Sequence, residues 1–209
     1  DSPYGSSPKV ALALQAHPWY HVYPDPAQRG VRQALSEYVG MNADSIIAGF
    51  GSDELIDLLA RLFVGIGDEV IDLPPTFGMY PIVVETQGGQ VISVPRTKNF
   101  DVDVDAVAKA ITKNTKLLFL ANPNNPTGNI SSEKTIRQLL ELDLIVVVDE
   151  TYFEFCGKTV AHLVGKYENL VVLRSLSKWA GLAGLRLGYG IMNPVIIERL
   201  MTCILYTSP

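Results

Sequence analysis

Short apolar runs alternate with amphipathic stretches along most of the chain. The runs are rich in Val, Ile and Leu and are flanked by polar or turn-forming residues. Apolar runs of this kind predict β-strands, and those without polar alternation predict strands buried on both faces of a sheet. We predict seven strands, at residues 46–49, 69–73, 90–94, 116–121, 144–148, 169–173 and 187–191.

Between these runs, apolar residues repeat at the spacing of an α-helix. The stretch after Gly51 is an example, since Leu55, Leu58 and Leu62 lie on one helical face. We predict helices at residues 8–16, 29–39, 54–64, 78–86, 104–111 and 132–140. Strands that alternate with helices indicate a three-layer α/β/α fold with a mainly parallel sheet, in which ligands bind at the carboxyl ends of the strands.

Composition narrows the class of protein. The 209 residues are 47% hydrophobic, enough to bury the core of one sizeable domain. The net charge of −5 argues against a partner such as nucleic acid or an anionic membrane, and no run is long enough to span a membrane. Two cysteines are too few for a disulfide framework, and three histidines lack ligand spacing, so we expect a cytoplasmic protein with no metal site.

A cluster of reactive and anion-binding side chains follows the predicted strand at 169–173. Ser175, Ser177 and Lys178 come directly after this strand, and Arg186 follows eight residues later. Hydroxyls and a guanidinium can hold a phosphate dianion beside the lysine amine. This combination suits pyridoxal 5'-phosphate (PLP), whose aldehyde forms an imine with a lysine.

Two other predicted strands end in side chains that suit the same cofactor. Asp149 ends one strand and is followed by Tyr152, so that a carboxylate is available to keep a pyridine nitrogen protonated. Asn125 lies in a proline-rich turn after the strand at 116–121. On spacing alone, Asn125 and Tyr152 are equally well explained as turn and packing residues.

These motifs together resemble the fold-type I, PLP-dependent aminotransferases of class II. The shared motifs are NPTG at 125–128, DETY at 149–152, and SLSK at 175–178. More narrowly, further segments resemble the histidinol-phosphate aminotransferase family. They are YPDP at 23–26, GSDELID at 51–57, PPTFGMY at 74–80 and GLAGLRLGY at 181–189.

The resemblance implies a domain organisation. Residues 26–193 would form the large PLP-binding domain, residues 1–25 an N-terminal arm, and residues 194–209 the start of the connection to a small C-terminal domain. Members of the family continue well beyond the length of this chain. We therefore expect a chain truncated at both ends that lacks the small domain.

The resemblance also implies roles for the residues that would contact the cofactor ring. Lys178 would form the imine and move the proton during transamination, and Asp149 would pair with the pyridine nitrogen. Asn125 and Tyr152 would donate hydrogen bonds to the phenolic oxygen. Phe77 would stack on the ring.

The cofactor phosphate would be bound by Ser175, Ser177 and Arg186 together with residues 51–53. For Ser52 and Asp53, spacing alone favours a pair of helix N-caps, whereas the resemblance implies phosphate contacts around Gly51, Ser52 and Asp53. The carboxylate of Asp53 would repel a phosphate, so we expect it to cap the helix. Arg186 has the alternative of a structural salt bridge.

Two tyrosines outside the predicted domain complete the expected site. The resemblance implies that Tyr4 lies near the substrate and that Tyr23 contacts the phosphate bound by a partner subunit, as part of a homodimer. The chain has Asp1 and Ser2 where the family has Glu and Asn, which departs from the arm motif.

The expected activity is the exchange of an amino group between L-histidinol phosphate and 2-oxoglutarate, giving imidazole-acetol phosphate and L-glutamate. One alternative is another enzyme of the same fold, such as an aromatic-amino-acid aminotransferase or a threonine-phosphate decarboxylase. A second alternative is a PLP-fold fragment without catalytic activity. Plastid location is an alternative to the cytoplasm if a transit peptide has been removed.

Overall fold

The computed structural model describes residues 2–19 and 21–207, with side chains up to residue 203. The outer ends of the predicted arm and of the predicted C-terminal connection, at residues 1 and 208–209, lie outside the described residues, as does residue 20. Within the described part, no helix is long and apolar enough to cross a membrane.

Seven strands of the described chain form one sheet, in the order β1-β7-β6-β5-β4-β2-β3. Strand β7 is antiparallel to both of its neighbours, and the other neighbouring pairs are parallel. The predicted mainly parallel sheet is therefore confirmed. The strands are β1 Ile46–Phe50, β2 Glu69–Asp72, β3 Gln90–Ser93, β4 Thr115–Ala121, β5 Ile145–Asp149, β6 Leu170–Ser175 and β7 Leu187–Met192.

Helices cover both faces of this sheet. They are α1 Pro8–Gln15, α2 Arg29–Val39, α3 Gly51–Phe63, α4 Met79–Thr86, α5 Val104–Ala110, α6 Glu133–Leu140, α7 Phe153–Cys156 and α8 Pro194–Thr207, with short 3-10 turns at 43–45, 161–163 and 183–185. Helices α2, α5 and α6 pack in one core, and α3, α4 and α8 pack in the other. The predicted three-layer fold is confirmed.

Alternate residues of the central strands supply the two cores. In β4, Leu118 and Leu120 pack with the first set of helices, whereas Leu117 and Phe119 pack with the second. All four are fully buried, and full burial of such a side chain contributes about 1.5–3 kcal/mol. This continuous apolar sequence is what identified β4 as a strand covered on both faces.

Helix α2 has its predicted bounds and α1, α4, α5 and α6 differ from theirs by one residue, whereas α3 begins three residues earlier than predicted and α7 and α8 were not predicted. Helix α3 begins at Gly51 rather than at 54, because Gly51 has a φ of +79° and Glu54 Oε2 accepts the Phe50 amide at 2.7 Å. Helix α8 was not predicted as a helix. It begins after Asn193, whose side chain accepts the Val195 amide, and it packs Ile196 into the second core.

Candidate active site

A cleft at the carboxyl ends of the parallel strands collects nearly all of the predicted site residues. Every one except Tyr4 and Tyr23 lines it: Gly51, Ser52, Asp53, Phe77, Asn125, Asp149, Tyr152, Ser175, Ser177, Lys178 and Arg186. They come from segments spread over more than half of the chain, and the parallel strands bring them to one edge of the sheet. The order and direction of the strands therefore bring the residues predicted from the motifs into one cleft.

Asp149 is the innermost charged group of the cleft. Its Oδ1 accepts the Thr151 amide at 3.0 Å and the Thr151 hydroxyl at 2.6 Å, and its Oδ2 accepts the Tyr80 hydroxyl at 2.9 Å. Burial raises the pKa of Asp149 above its ordinary value, and these hydrogen bonds oppose the rise. No cation of the described residues forms an ion pair with it, so the carboxylate faces the cleft without a counter-charge.

The lysine and its two serines follow β6 as predicted. The Ser175 hydroxyl donates to Ser177 Oγ at 2.9 Å, and the Ser177 amide donates to Ser175 Oγ at 3.2 Å. Both serines are buried, which fixes this turn against the sheet. Lys178 comes next and lines the cleft, and in the described part of the chain its ammonium group makes no hydrogen bond or ion pair. The amine is therefore available to a ligand.

The N-terminus of α3 forms one wall of the cleft and is suited to an anion. A Cβ on Gly188 would lie 2.3 Å from the Ser52 amide nitrogen, so only glycine at 188 lets the helix end approach strand β7 so closely. Among the described residues, no side chain accepts the amides of Gly51, Ser52 or Asp53. Free amides at the positive end of a helix bind phosphate groups.

The expected capping role of Asp53 is wrong. Asp53 lies inside the first turn of α3, and its Oδ2 accepts Arg186 Nη2 at 3.1 Å. Arg186, with a φ of +52°, also directs Nη2 to the Phe50 carbonyl at 3.4 Å. The salt bridge that was the alternative for Arg186 is thus present, and it holds the guanidinium at the edge of the cleft beside the helix end.

The turn that carries Asn125 is held by its neighbours. Asn124 donates to the Pro75 carbonyl at 2.9 Å and accepts from the Thr76 hydroxyl at 3.0 Å. These bonds join the turn after β4 to the segment that carries Phe77. Phe77 in turn packs edge-on against Tyr80, with ring centroids 5.6 Å apart.

The two arm tyrosines lie outside the cleft. Tyr4 is 96% exposed and Tyr23 is 73% exposed, and neither lines the cleft in this single chain. The arm does approach the lysine loop, because a Cβ on Gly181 would lie 2.4 Å from the Gly5 carbonyl oxygen. The roles implied for Tyr4 and Tyr23 stay predictions.

Sequence reasoning missed two partners of Asp149. Thr151 lies within the DETY motif, and an Asx-type contact two residues after an aspartate is a recognisable local signal. Tyr80 lies within PPTFGMY, but its partner is 69 residues away along the chain. No local pattern indicates a hydrogen bond at that separation.

No metal centre is present in the described residues, where no group of three or more His, Cys, Asp or Glu side chains is arranged to hold a metal ion. The polar groups of the cleft are a lysine, a guanidinium, two carboxylates, a side-chain amide, hydroxyls and the free backbone amides of the helix end. This donor set suits an organic ligand that carries a phosphate.

Comparison with known proteins identifies the family. The family described as "Aminotransferase class I and II" matches residues 1–204. This chain belongs to that family. The resemblance predicted from the motifs is therefore confirmed.

Several relatives of this aminotransferase-family chain share a name. The histidinol-phosphate aminotransferase of Dehalococcoides mccartyi is 50% identical over 197 residues, which are 94% of this chain and 55% of the relative. The chloroplastic histidinol-phosphate aminotransferase of Nicotiana tabacum is 45% identical over 202 residues, which are 96% of this chain and 49% of the relative. The aminotransferase-family chain thus spans about half the length of the relatives that it matches.

Solved structures agree with this family. The histidinol-phosphate aminotransferase of Sinorhizobium meliloti, solved in complex with pyridoxal-5'-phosphate, has a TM-score of 0.85 and 29% identity over 93% of this chain and 55% of that one. An aspartate aminotransferase of Thermus thermophilus has a TM-score of 0.81 and 27% identity over 93% of this chain and 54% of that one. The aminotransferase-family chain therefore shares its fold with part of solved chains that are about twice its length.

Proposed function

We propose that this chain carries the PLP site of a histidinol-phosphate aminotransferase. The observation that carries the proposal is the cleft in which an unpaired lysine, a buried carboxylate without a counter-ion and the free amides of a helix end face one another. The names and identities of the relatives support the same activity. The reaction would move an amino group between L-histidinol phosphate and 2-oxoglutarate by a ping-pong route.

The residues of the cleft fit this cofactor. When bound, PLP supplies an aldehyde that carries the amino group and a ring that withdraws electrons from the substrate carbon. The cradle at Gly51 and Ser52 leaves amides free for the phosphate, and Arg186 lies beside them. The Asp149 carboxylate supplies a negative charge at the buried end, where a protonated ring nitrogen would be stabilised.

The remaining side chains have roles that follow from their positions. Lys178 would be the base that takes the proton from the substrate Cα and delivers it to cofactor C4′, and with the second substrate it would move a proton in the opposite direction. Asn125 and Tyr152 line the cleft as donors for a phenolic oxygen, and Phe77 supplies an aromatic face against the ring. Ser175 and Ser177, already joined to each other, present hydroxyls to the phosphate.

We infer that the working protein is a homodimer. The arm exposes apolar side chains that a single chain leaves in water: Tyr4, Leu12, Trp19, Val22 and Tyr23. Helix α1 of the arm has no buried residue, which supports docking on a second copy. In that dimer Tyr23 would contact the partner's phosphate site and Tyr4 the substrate. Sedimentation equilibrium checks the proposal, which requires twice the mass of one chain.

The location and the domain bounds are part of the same proposal. Cys156 and Cys203 are both free thiols, which supports a reducing compartment such as the cytoplasm. We keep 26–193 as the large domain and 1–25 as the arm. Helix α8 packs on the large domain through side chains from Ile196 to Cys203 and would lead towards a small domain after that.

Capture of the cofactor tests the site directly. The chain is incubated with PLP, reduced with borohydride, digested and examined by mass spectrometry. We expect one pyridoxyl adduct, on the peptide that contains Lys178, and its complete loss in Lys178→Ala because Lys178 supplies the one amine that the described residues place in the cleft. Lys166→Ala, which changes an exposed lysine outside the cleft, is the matched control and keeps the adduct.

Substrate choice is tested separately. The chain is extended with the C-terminal part of the Dehalococcoides mccartyi relative and assayed for glutamate formed from histidinol phosphate and 2-oxoglutarate. The L-threonine-O-3-phosphate decarboxylase of Porphyromonas gingivalis has a similar structure, with 26% identity and a TM-score of 0.74. An enzyme of that kind would instead release carbon dioxide from threonine phosphate. A pyridoxyl adduct on Lys178 without turnover of histidinol phosphate would keep the cofactor site and reject the substrate.

A further inference from the structure

Tyr80 lines the cleft although it is almost completely buried, and it contacts two other cleft residues and one core residue. Its hydroxyl donates to Asp149 Oδ2 at 2.9 Å. Its ring stacks on Phe119 with centroids 4.7 Å apart and an interplanar angle of 4°, and it packs edge-on against Phe77. These two ring contacts and the burial of the side chain hold the Tyr80 ring in place, with its hydroxyl at Asp149.

The two oxygens of Asp149 are held from different elements of the fold. Oδ1 receives both of its bonds from Thr151, which follows β5 directly, whereas Oδ2 receives its bond from α4. Without the second donor, the carboxylate would be fixed at one oxygen only and free to turn about it. The Tyr80 bond therefore sets the plane in which the remaining lone pairs of Asp149 face the cleft.

The direction of donation is unambiguous. Burial first, and the charge of Asp149 second, raise the pKa of Tyr80 well above its ordinary value, so the phenol keeps its proton. A neutral phenol that donates to a carboxylate favours the ionised form of that carboxylate. Tyr80 thus offsets part of the burial that disfavours the charge on Asp149.

We propose that Tyr80 is a positioning residue, which holds the Asp149 carboxylate ionised and oriented towards the ring nitrogen of a pyridine cofactor. The identity of that ring rests on the proposed function, whereas the contact between the phenol and the carboxylate does not. Tyr80 itself would touch neither the substrate nor the reacting atoms. Its effect would act through Asp149.

Other ionisable groups surround this pair. Asp53 of α3 raises the pKa of Asp149, and Lys178 and Arg186 line the same cleft. Behind Tyr80, the buried Asp72 and Arg96 act electrostatically on the phenol with opposite signs. These groups are unchanged when only the hydroxyl of Tyr80 is removed, so a substitution to phenylalanine isolates its contribution.

The experiment is a carboxyl ¹³C NMR titration of Asp149 in the protein without cofactor, assigned with Asp149→Asn. Tyr80→Phe keeps the ring contacts with Phe119 and Phe77 and removes one donor to an ionised oxygen. We expect the pKa of Asp149 to rise by about one to two units. The control is Tyr189→Phe, because Tyr189 is equally buried but packs in the other core, and it should leave the Asp149 titration unchanged.

Equal Asp149 midpoints in the wild type and in Tyr80→Phe would overturn the proposal. If Tyr80→Phe does not fold, the wild type still decides, since the hydrogen-bonded Tyr80 hydroxyl proton must appear as a slowly exchanging, downfield resonance, and its absence would reject the bond. A second readout uses ¹⁵N-labelled PLP, whose ring nitrogen should lose protonation at a lower pH in Tyr80→Phe. Failure of PLP to bind would reject the proposed function and leave the first titration intact.

Discussion

Two neighbouring carboxylates at the end of β5 have opposite surroundings. Asp149 and Glu150 are consecutive, and both are buried. Asp149 lies on the side of the sheet where Tyr80 packs, whereas Glu150 bonds to the Val160 amide on the side of the other core. The alternation of side chains along an extended segment separates them.

Glu150 is neutralised within the protein. Its Oε2 accepts Arg174 Nε at 3.0 Å, Arg174 Nη2 at 2.9 Å and the Thr159 hydroxyl at 2.8 Å, while Oε1 accepts the Val160 amide at 2.7 Å. The Arg174 guanidinium lies 3.8 Å from the centre of the Phe153 ring. Both oxygens of the Glu150 carboxylate therefore have hydrogen-bond partners within the protein.

The pKa values show what the difference means. Burial raises the pKa of both acids, but the charge of Arg174 is the first cause that opposes the rise at Glu150, whereas at Asp149 the opposing causes are neutral hydrogen-bond donors. A buried charge without a counter-charge is costly, and it is retained where a ligand completes it. This difference indicates a structural role for Glu150 and supports the proposed cofactor-binding role of Asp149.

The largest expected effect is on the free energy of unfolding, and it comes from breaking the buried ion pair between Arg174 and Glu150. Arg174→Met removes the cation and leaves Glu150 charged and buried, which should lower the free energy of unfolding by about 3–5 kcal/mol. Urea denaturation measures it. Arg137→Met breaks a surface pair with Glu133 and is the control, with a much smaller effect. Equal losses in the two variants would mean that the buried pair does not stabilise the fold.

Removing the charge of Asp149 should affect activity rather than stability. Asp149→Asn keeps an acceptor for Thr151 but removes the negative charge that we propose faces the ring nitrogen of the cofactor. In the extended chain we expect kcat to fall on the order of a hundredfold or more, equivalent to about 3 kcal/mol. Stability at pH 7 should be unchanged or higher, because an uncompensated buried charge is lost.

The pH dependence of stability tests whether the uncompensated charge of Asp149 destabilises the folded protein. The folded-state pKa of Asp149 lies above its ordinary value of 3.8, so the folded protein takes up this proton at a higher pH than the unfolded chain. The wild type therefore gains stability relative to Asp149→Asn as the pH falls through the folded pKa towards 3.8, and loses it as the pH rises. A stability difference that is constant from pH 7 to pH 4 would contradict the assigned cause.

Much of the fold was predictable because local signals and tertiary packing agree. Helix α2 has the predicted bounds, since its apolar face and the left-handed Gly40 at its end are both local features. Strand β6 extends two residues beyond the apolar run because Arg174 and Ser175 continue to pair with β7. Helix α8 was missed because residues 194–209 were assigned to a connection, although Ile196, Ile197 and Leu200 have helical spacing and pack in the second core.

The candidate site was predictable to the extent that its residues belong to contiguous motifs. Lys178 and Asp149 follow strands whose parallel arrangement can be inferred, so their convergence in one cleft was expected. The partners of Asp53 and Tyr80 lie 133 and 69 residues away along the chain. Such pairings depend on how helices α3 and α4 pack on the sheet, which sequence patterns do not specify.

The smallest expected effect concerns the ion pair at the outer wall of the cleft. Arg186 and Asp53 are 45% and 44% exposed, so their salt bridge should contribute no more than about 1 kcal/mol and should weaken with salt. Asp53→Asn removes the charge but keeps a side chain that can cap a helix, whereas Asp53→Ala removes both. If Asp53 acts only through Arg186, urea denaturation at low and high salt will give the same small loss for both variants, and that loss will shrink at high salt. A larger, salt-independent loss confined to Asp53→Ala would restore the capping role that the geometry rejects.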